Sequence, residues 1–223
     1  GQVAALSDGL QEAARTSGPK IPLAITIDQE GGLVARVRTS GTDVPGNMAL
    51  GATGSTELAR AQGQALGSEL AAMGINVDFA PVLDVNTNAA NPVIGVRSLG
   101  DDPEAVASLG AAQIEGLQSE GVSATAKYFP GHGDTQTDSH LGLPTVSYDR
   151  ATLDTHLAPF RAAVKGGVDM IMTAHIVVEA IDPAHPATTS KAVLTDLLRE
   201  EMGFTGLITT DAMDMEGVQL SVM

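Results

Sequence analysis

Apolar residues recur at helical spacing through residues 2–16, until Gly18 and Pro19 break the period and Leu23-Ala24-Ile25-Thr26-Ile27 follows as a β-type run. The same alternation then repeats along the chain. A helix is predicted over 55–73, opened by Ser55 or Thr56 with Glu57 close behind and stopped by Gly74, and residues 76–81 read as a strand. Next come a helix over 103–120, with Pro103 suited to its first turn, and a strand over 123–129. A helix over 150–165, a strand over 169–173, a helix over 190–202 and an apolar run over 207–210 complete the pattern.

Strands that alternate with helices build a mainly parallel sheet, either open and doubly wound or closed as a barrel. The polar residues favour the barrel. Asp28, Asp84, Lys127, His175 and Asp211 each fall at or just beyond the carboxyl end of a different β-run, where barrel loops converge on one site. An open sheet would concentrate function at one switch point, usually behind a Gly-rich phosphate turn, and neither GxGxxG nor GxxxxGK occurs. The expected fold class is therefore α/β, a TIM-type (β/α) barrel, with residues 1–223 forming one domain. A full barrel takes about 250 residues, so the pattern predicts a truncated barrel, incomplete at both ends of this chain and with open sheet edges.

Composition narrows the partners. Twenty-seven acidic against 12 basic residues give a net charge of −15, with no basic cluster to displace phosphate counterions, so nucleic acid is not expected. No run approaches the roughly 18 apolar residues of a membrane span. The chain has no Cys, which removes thiolate nucleophiles, disulfides and thiolate metal sites.

Two segments carry candidate chemistry. The first is the strand exit and polar loop from Lys127 to His140, KYFPGHGDTQTDSH. An Asp two residues before a His, here Asp138 and His140, can fix the imidazole tautomer and leave the other ring nitrogen for proton transfer. The same residues also read as solvated loop positions, and His132, Asp134, Asp138 and His140 include possible metal ligands, although no further His-rich element supports a metal. The second segment, GFTGLITTDAM over 203–213, delivers Asp211 at the exit of an apolar strand. A carboxylate held there suits a nucleophile of fixed geometry, and equally a helix N-cap. His175 sits at another strand exit, lining the site or holding structure by hydrogen bonds, and His156 and His185 read as surface or loop residues.

Five ordered blocks resemble glycoside hydrolase family 3, specifically its β-N-acetylglucosaminidase branch. They are Ile27-Asp28-Gln29-Glu30-Gly31-Gly32 with Arg36, the NVDFAPVLD run over 76–84, VIGVRSLG over 93–100, the Lys127–His140 loop, and the strand that ends at Asp211. The resemblance implies Asp211 as nucleophile and His140 as acid/base, its basicity tuned by Asp138. It also implies Asp28, Arg36, Arg97, Lys127 and the Tyr128 position as sugar-binding groups. Tyr128 stands where His is usual, Leu33 where Arg is common, and Thr210 where Ser is common, which bears on fine substrate preference.

The reaction so implied is retaining exo-hydrolysis of terminal β-linked N-acetylglucosamine, from glycans that include peptidoglycan fragments, through a covalent glycosyl-enzyme. It needs no cofactor and no metal, and its partner is a carbohydrate substrate. A glycoside phosphorylase of the same branch is the alternative, and a non-catalytic glycan-binding module a further one. Oligomeric state is left open, as is location, with a secreted or cell-envelope site favoured over a cytoplasmic one.

Overall fold

The computed structural model describes residues 1–39 and 41–222. Its centre is β3 (Ser123–Phe129), whose last six residues are all buried, as expected for a strand covered on both faces. On one side it pairs with β2 (Val77–Asp78) and then β1 (Thr26–Ile27), and on the other with β5 (Met170–Thr173) and then β7 (Leu207–Thr210). Every pairing in this five-stranded sheet is parallel and the order follows the sequence. Helices connect successive strands, so the sheet curls into part of a barrel with β1 and β7 at its edges. The expected TIM-type architecture is what the chain adopts.

The helices begin where their caps say. In α3 (Thr56–Ala72) the Ser55 side chain accepts from the Leu58 N–H, in α4 (Pro103–Ser119) Asp102 accepts from Glu104, and in α5 (Arg150–Lys165) Asp149 accepts from Thr152. α3 and α4 touch backbone to backbone. A Cβ on Gly63 would lie 2.3 Å from the Gln113 carbonyl oxygen, and one on Gly116 would lie 2.3 Å from that of Arg60, so glycine sets this approach. The main core lies between the sheet and these helices, with Leu83, Ile114, Phe129, Leu157, Phe160 and Ile171 fully enclosed. α1 (Gln2–Thr16) precedes β1 as expected.

Four differences from the sequence reading stand out. The run at 23–27 is a ladder strand only at Thr26–Ile27, because the Asn76 side chain substitutes for backbone pairing upstream: its Oδ1 accepts from Ile25 N and its Nδ2 donates to Leu23 O. A second parallel pair, β4 (Thr145–Val146) with β6 (Val177–Val178), and the short helices α2 (Asn47–Gly51) and α6 (Glu216–Val222), were too brief for periodicity to show. The segment Ala192–Glu201 winds with wide π-type turns instead of α-helical ones. His156, read as a surface residue, is fully buried in α5 and stacks on Tyr148 with ring centroids 4.7 Å apart. The apolar neighbours at helical spacing around it, Leu153, Leu157 and Phe160, turn that face inward.

Candidate active site

Because the strands are parallel, all their carboxyl ends open on one face, and the candidate residues gather there. Asp28 follows β1, Lys127 and Tyr128 lie near the end of β3, and Asp211 follows β7.

Two cations, Lys127 buried and Arg97 partly buried, share an acid at the base. Lys127, with a side-chain exposure of 0%, donates from Nζ to Asp28 Oδ1 at 2.9 Å and lies 2.7 Å from Glu30 Oε1. Arg97 grips the same carboxylate with two parallel bonds, Nε to Oε2 at 3.0 Å and Nη2 to Oε1 at 2.7 Å. Its Nη2 also donates to the Tyr128 hydroxyl at 2.6 Å, and both cations approach the tyrosine ring, at 5.3 and 5.2 Å from its centroid. Burial pushes the Glu30 carboxyl upward, but Lys127 and Arg97 outweigh it and hold the group below the usual carboxylate range. Burial likewise opposes the charge on Lys127, yet Tyr128, Glu30 and Asp28 keep its ammonium more firmly protonated than usual. Asp78 lies behind this cluster, fully buried, and desolvation raises its carboxyl to about 8 even though Oδ1 accepts from the Gln29 N–H.

The long loop after β3 is anchored from below. Asp84, wholly buried and pushed up to about 7 by desolvation, accepts from the His132 backbone N–H through Oδ1. The His132 ring is sandwiched between Thr135 Oγ1 at Nδ1, 2.6 Å, and Ser139 Oγ at Nε2, 3.0 Å, and burial lowers its pKa to about 4. At Gly133 the loop lies so close to Val85 that a Cβ would meet the Val85 carbonyl oxygen at 2.0 Å. Past this anchor the loop carries His140 outward. His140 has a side-chain exposure of 57%, and its Nδ1 lies 2.7 Å from Asp138 Oδ1. An ionised carboxylate only accepts, so the proton belongs on Nδ1 and Nε2 is left for transfer. Desolvation pulls the Asp138 carboxyl up, and the His140 backbone N–H and ring together hold it below its ordinary value.

Asp211 is partly exposed at the end of β7, with its Oδ1 accepting from Ala212 N at 2.8 Å. It is not the N-cap of α6, which begins at Glu216. Its charge acts, as the smallest of several influences, on both the Tyr128 hydroxyl and the His132 ring. Two bonds fix the segment after β7: His175 Nε2 donates to Ala212 O at 3.0 Å, and Gly217 N, in the first turn of α6, donates to Ser139 O at 3.1 Å, tying α6 to the His140 loop. His175 is thus a buried hydrogen-bonding post.

Asp28, Arg97, Lys127 and Tyr128 therefore form one cluster, and Asp138 and His140 form a pair. Arg36 joins neither. Its side chain is exposed, and only its backbone N–H is engaged, by Gln29 Oε1. Glu30 is the residue that sequence reasoning left without a role: its place in the QEGG block was visible, but its burial between two distant cations was not. Beside it, Gly31, Gly32, Leu33, Met48, Val96 and Arg97 help to line a mainly apolar cleft of about 500 Å³. Among the described residues no group of three or more His, Asp or Glu is placed to hold a metal ion, and no helix is long and apolar enough to cross a membrane.

Comparison with known proteins agrees with this geometry. The family model described as the glycosyl hydrolase family 3 N terminal domain matches residues 1–222. The chain is 45% identical to β-hexosaminidase A of Pseudoalteromonas piscicida, over 97% of this chain and 39% of that protein. The structure of a glycoside hydrolase family 3 β-N-acetylglucosaminidase from a Paenibacillus strain superposes with a TM-score of 0.97 at 52% identity, covering 99% of this chain and 42% of that one. NagZ from Neisseria gonorrhoeae, solved with N-trifluoroacetyl-D-glucosamine, superposes at 0.88 with 36% identity, covering 97% of this chain and 63% of that one. The chain thus spans about two fifths of the length of the first two relatives. With the family model matching from end to end and a half-barrel that overlays solved members, the chain belongs to glycoside hydrolase family 3, grouped with its β-hexosaminidases.

Proposed function

We propose that this chain carries the sugar-holding and reacting groups of a retaining exo-β-N-acetylglucosaminidase acting on terminal β-linked N-acetylglucosamine, peptidoglycan fragments among its substrates. The observation that carries this reading is the pairing of His140 Nδ1 with Asp138 Oδ1 at 2.7 Å, on a loop hydrogen-bonded to the first turn of α6, the helix that follows Asp211. A paired imidazole with a free Nε2 beside an ionisable carboxylate is an acid/base and a nucleophile in reach of one sugar.

In the first step an Asp211 oxygen attacks the anomeric carbon, the glycosidic C–O bond breaks, and the His140 Nε2 proton passes to the departing oxygen. In the second, His140 takes a proton from water as that water displaces Asp211, which leaves as a carboxylate. Asp138 stabilises the imidazolium present before the first step and after the second, and keeps the tautomer of the neutral ring fixed in between. Below, Asp28 accepts from sugar hydroxyls while Lys127 donates to hydroxyl or acetamido oxygen.

The test uses the intact protein and an aryl N-acetyl-β-glucosaminide, with the anomer of the first-formed sugar read by NMR. β-N-Acetylglucosamine released without phosphate is the expected product. An α-anomer would end the covalent scheme, and a sugar 1-phosphate formed only with inorganic phosphate would make the enzyme a phosphorylase. No turnover together with sugar binding would make it a glycan-binding module.

A further inference from the structure

Counting donors and acceptors at the base of the site shows that most of them are turned inward. Arg97 has five N–H groups: Nε–H and one on Nη2 hold Glu30, the other on Nη2 holds Tyr128, and one on Nη1 reaches the Val93 carbonyl at 3.3 Å. Only one is left for a ligand. Lys127 has three, of which Asp28 and Glu30 take two. The Tyr128 oxygen accepts from Arg97, so its own O–H is directed elsewhere. Not engaged within the protein among the described residues are therefore one ammonium N–H of the fully buried Lys127, the tyrosine O–H, one guanidinium N–H and the outer oxygen of Asp28, whose side chain is 38% exposed.

Three of these, on Lys127, Arg97 and Tyr128, depend on Glu30. Its side chain is 3% exposed, and its Oε1 lies 2.7 Å from Lys127 Nζ and 2.7 Å from Arg97 Nη2. Among the described residues it is the one carboxylate paired with both cations. Without its charge the two would face each other across a desolvated gap with only Asp28 as counterion, and like charges there repel strongly. We infer that Glu30 is the positioning residue of the sugar subsite: it touches no substrate itself, but fixes Lys127, Arg97 and through Arg97 the Tyr128 hydroxyl in the geometry that binds the sugar. This inference rests on the glycosidase reading above for its substrate.

The experiment compares wild type, Glu30→Gln and Glu30→Asp in the intact protein, together with Lys127→Met and the Lys127→Met/Glu30→Gln double variant. Glu30→Gln is expected to lower kcat/KM for an aryl N-acetyl-β-glucosaminide about 100-fold and to weaken N-acetylglucosamine binding, read by calorimetry, by a similar factor. The dependence of rate on leaving-group pKa should not change, because His140 and Asp211 are untouched. Glu30→Asp keeps the charge but reaches only one cation, and should recover about 10-fold of the loss. With Lys127 already removed, Glu30→Gln should add less than about fivefold, since half of what it positions is gone.

A loss that is fully additive in the Lys127→Met background, or a Glu30→Gln enzyme within threefold of wild type, overturns the inference. If Glu30→Gln does not fold, Glu30→Asp decides: unchanged sugar affinity in that variant overturns it equally. Should wild type bind N-acetylglucosamine without cleaving the glycoside, the hydrolase reading fails while the calorimetric comparison still decides the role of Glu30. Wild type that neither binds nor cleaves overturns both.

Discussion

The base of the site and the loop above it are built on opposite plans. At the base, Lys127, Arg97, Glu30 and Tyr128 come from the β3 exit and the loops after β1 and β2, and each is held by two or more partners in a setting nearly closed to water. On the loop, the His140 ring makes one hydrogen bond among the described residues, to Asp138 two positions away, and most of its surface is open. The difference matches the two tasks. Recognition of a sugar gains from groups that do not reorganise, because each donor already points where the hydroxyl will be. A group that must first give a proton to a departing oxygen and then take one from water has to meet two different positions, and a short tether to Asp138 allows it. Under the proposed mechanism Asp211 belongs with the base in this division, since a strand end would fix the line along which it attacks.

The comparison breaks most sharply at Asp211. Removing it as Asp211→Ala should lower kcat/KM on aryl N-acetyl-β-glucosaminides by about 10⁴-fold or more, because no other group forms the covalent intermediate. Added azide should restore slow turnover with inverted product. Kinetics near wild type would remove Asp211 from the chemistry and leave a sugar-binding base without a nucleophile.

The loop is expected to fail in a different way. His140→Ala should slow poor leaving groups by roughly 10²- to 10⁴-fold while activated phenols, which depart as anions, suffer much less. With an activated phenol the glycosyl-enzyme should then accumulate, giving a burst before a slow steady state. Equal slowing of both substrate types with no burst would make His140 a binding residue and erase the distinction between loop and base. Asp138→Asn should show the same pattern more weakly, on the order of 10-fold, since the imidazole stays but loses the carboxylate that orients it.

How far the sequence could be read follows the same division. Strand order, helix caps and the carboxyl-end placement of Asp28, Lys127 and Asp211 were legible because they follow from local periodicity and from the geometry of parallel strands. The Asp138–His140 pair was legible because two residues of spacing suffice to bring them together. Glu30 was not, since its meaning lies in Arg97 and Lys127, 67 and 97 residues further along. Arg97 looked like a free sugar ligand, but four of its five donors are engaged within the protein. Arg36 lies on the surface side of a turn that nothing in its own sequence context betrays. His156 shows the converse: its burial was written in the apolar residues at helical spacing around it and was missed by weighing the histidine alone.

The smallest effect concerns His132, the post between loop and base, and it is read in stability. In the folded chain its pKa is lowered to about 4 by burial, against 6.5 for the free side chain. Below pH 6.5 the unfolded state therefore takes up a proton that the folded state refuses until about pH 4, so acidification across this window favours unfolding. The cost should be roughly 2 kcal/mol between pH 7 and pH 5. Asp78 and Asp84 act in the opposite direction, because their carboxyls are raised to about 8 and about 7 and the folded state holds protons that the unfolded one releases. Their contribution strengthens as pH falls toward the unfolded value and outweighs the histidine's slope in wild type, so the histidine's effect shows only as a difference. The difference between two proteins isolates it: His132→Gln keeps the backbone N–H that Asp84 accepts from, and removes only the titrating ring. Urea unfolding at pH 7 and pH 5 should show wild type losing about 2 kcal/mol more than the variant over that interval. If the two curves ran parallel, His132 would not be held neutral by burial, and the loop would rest on the base by its Asp84 anchor alone.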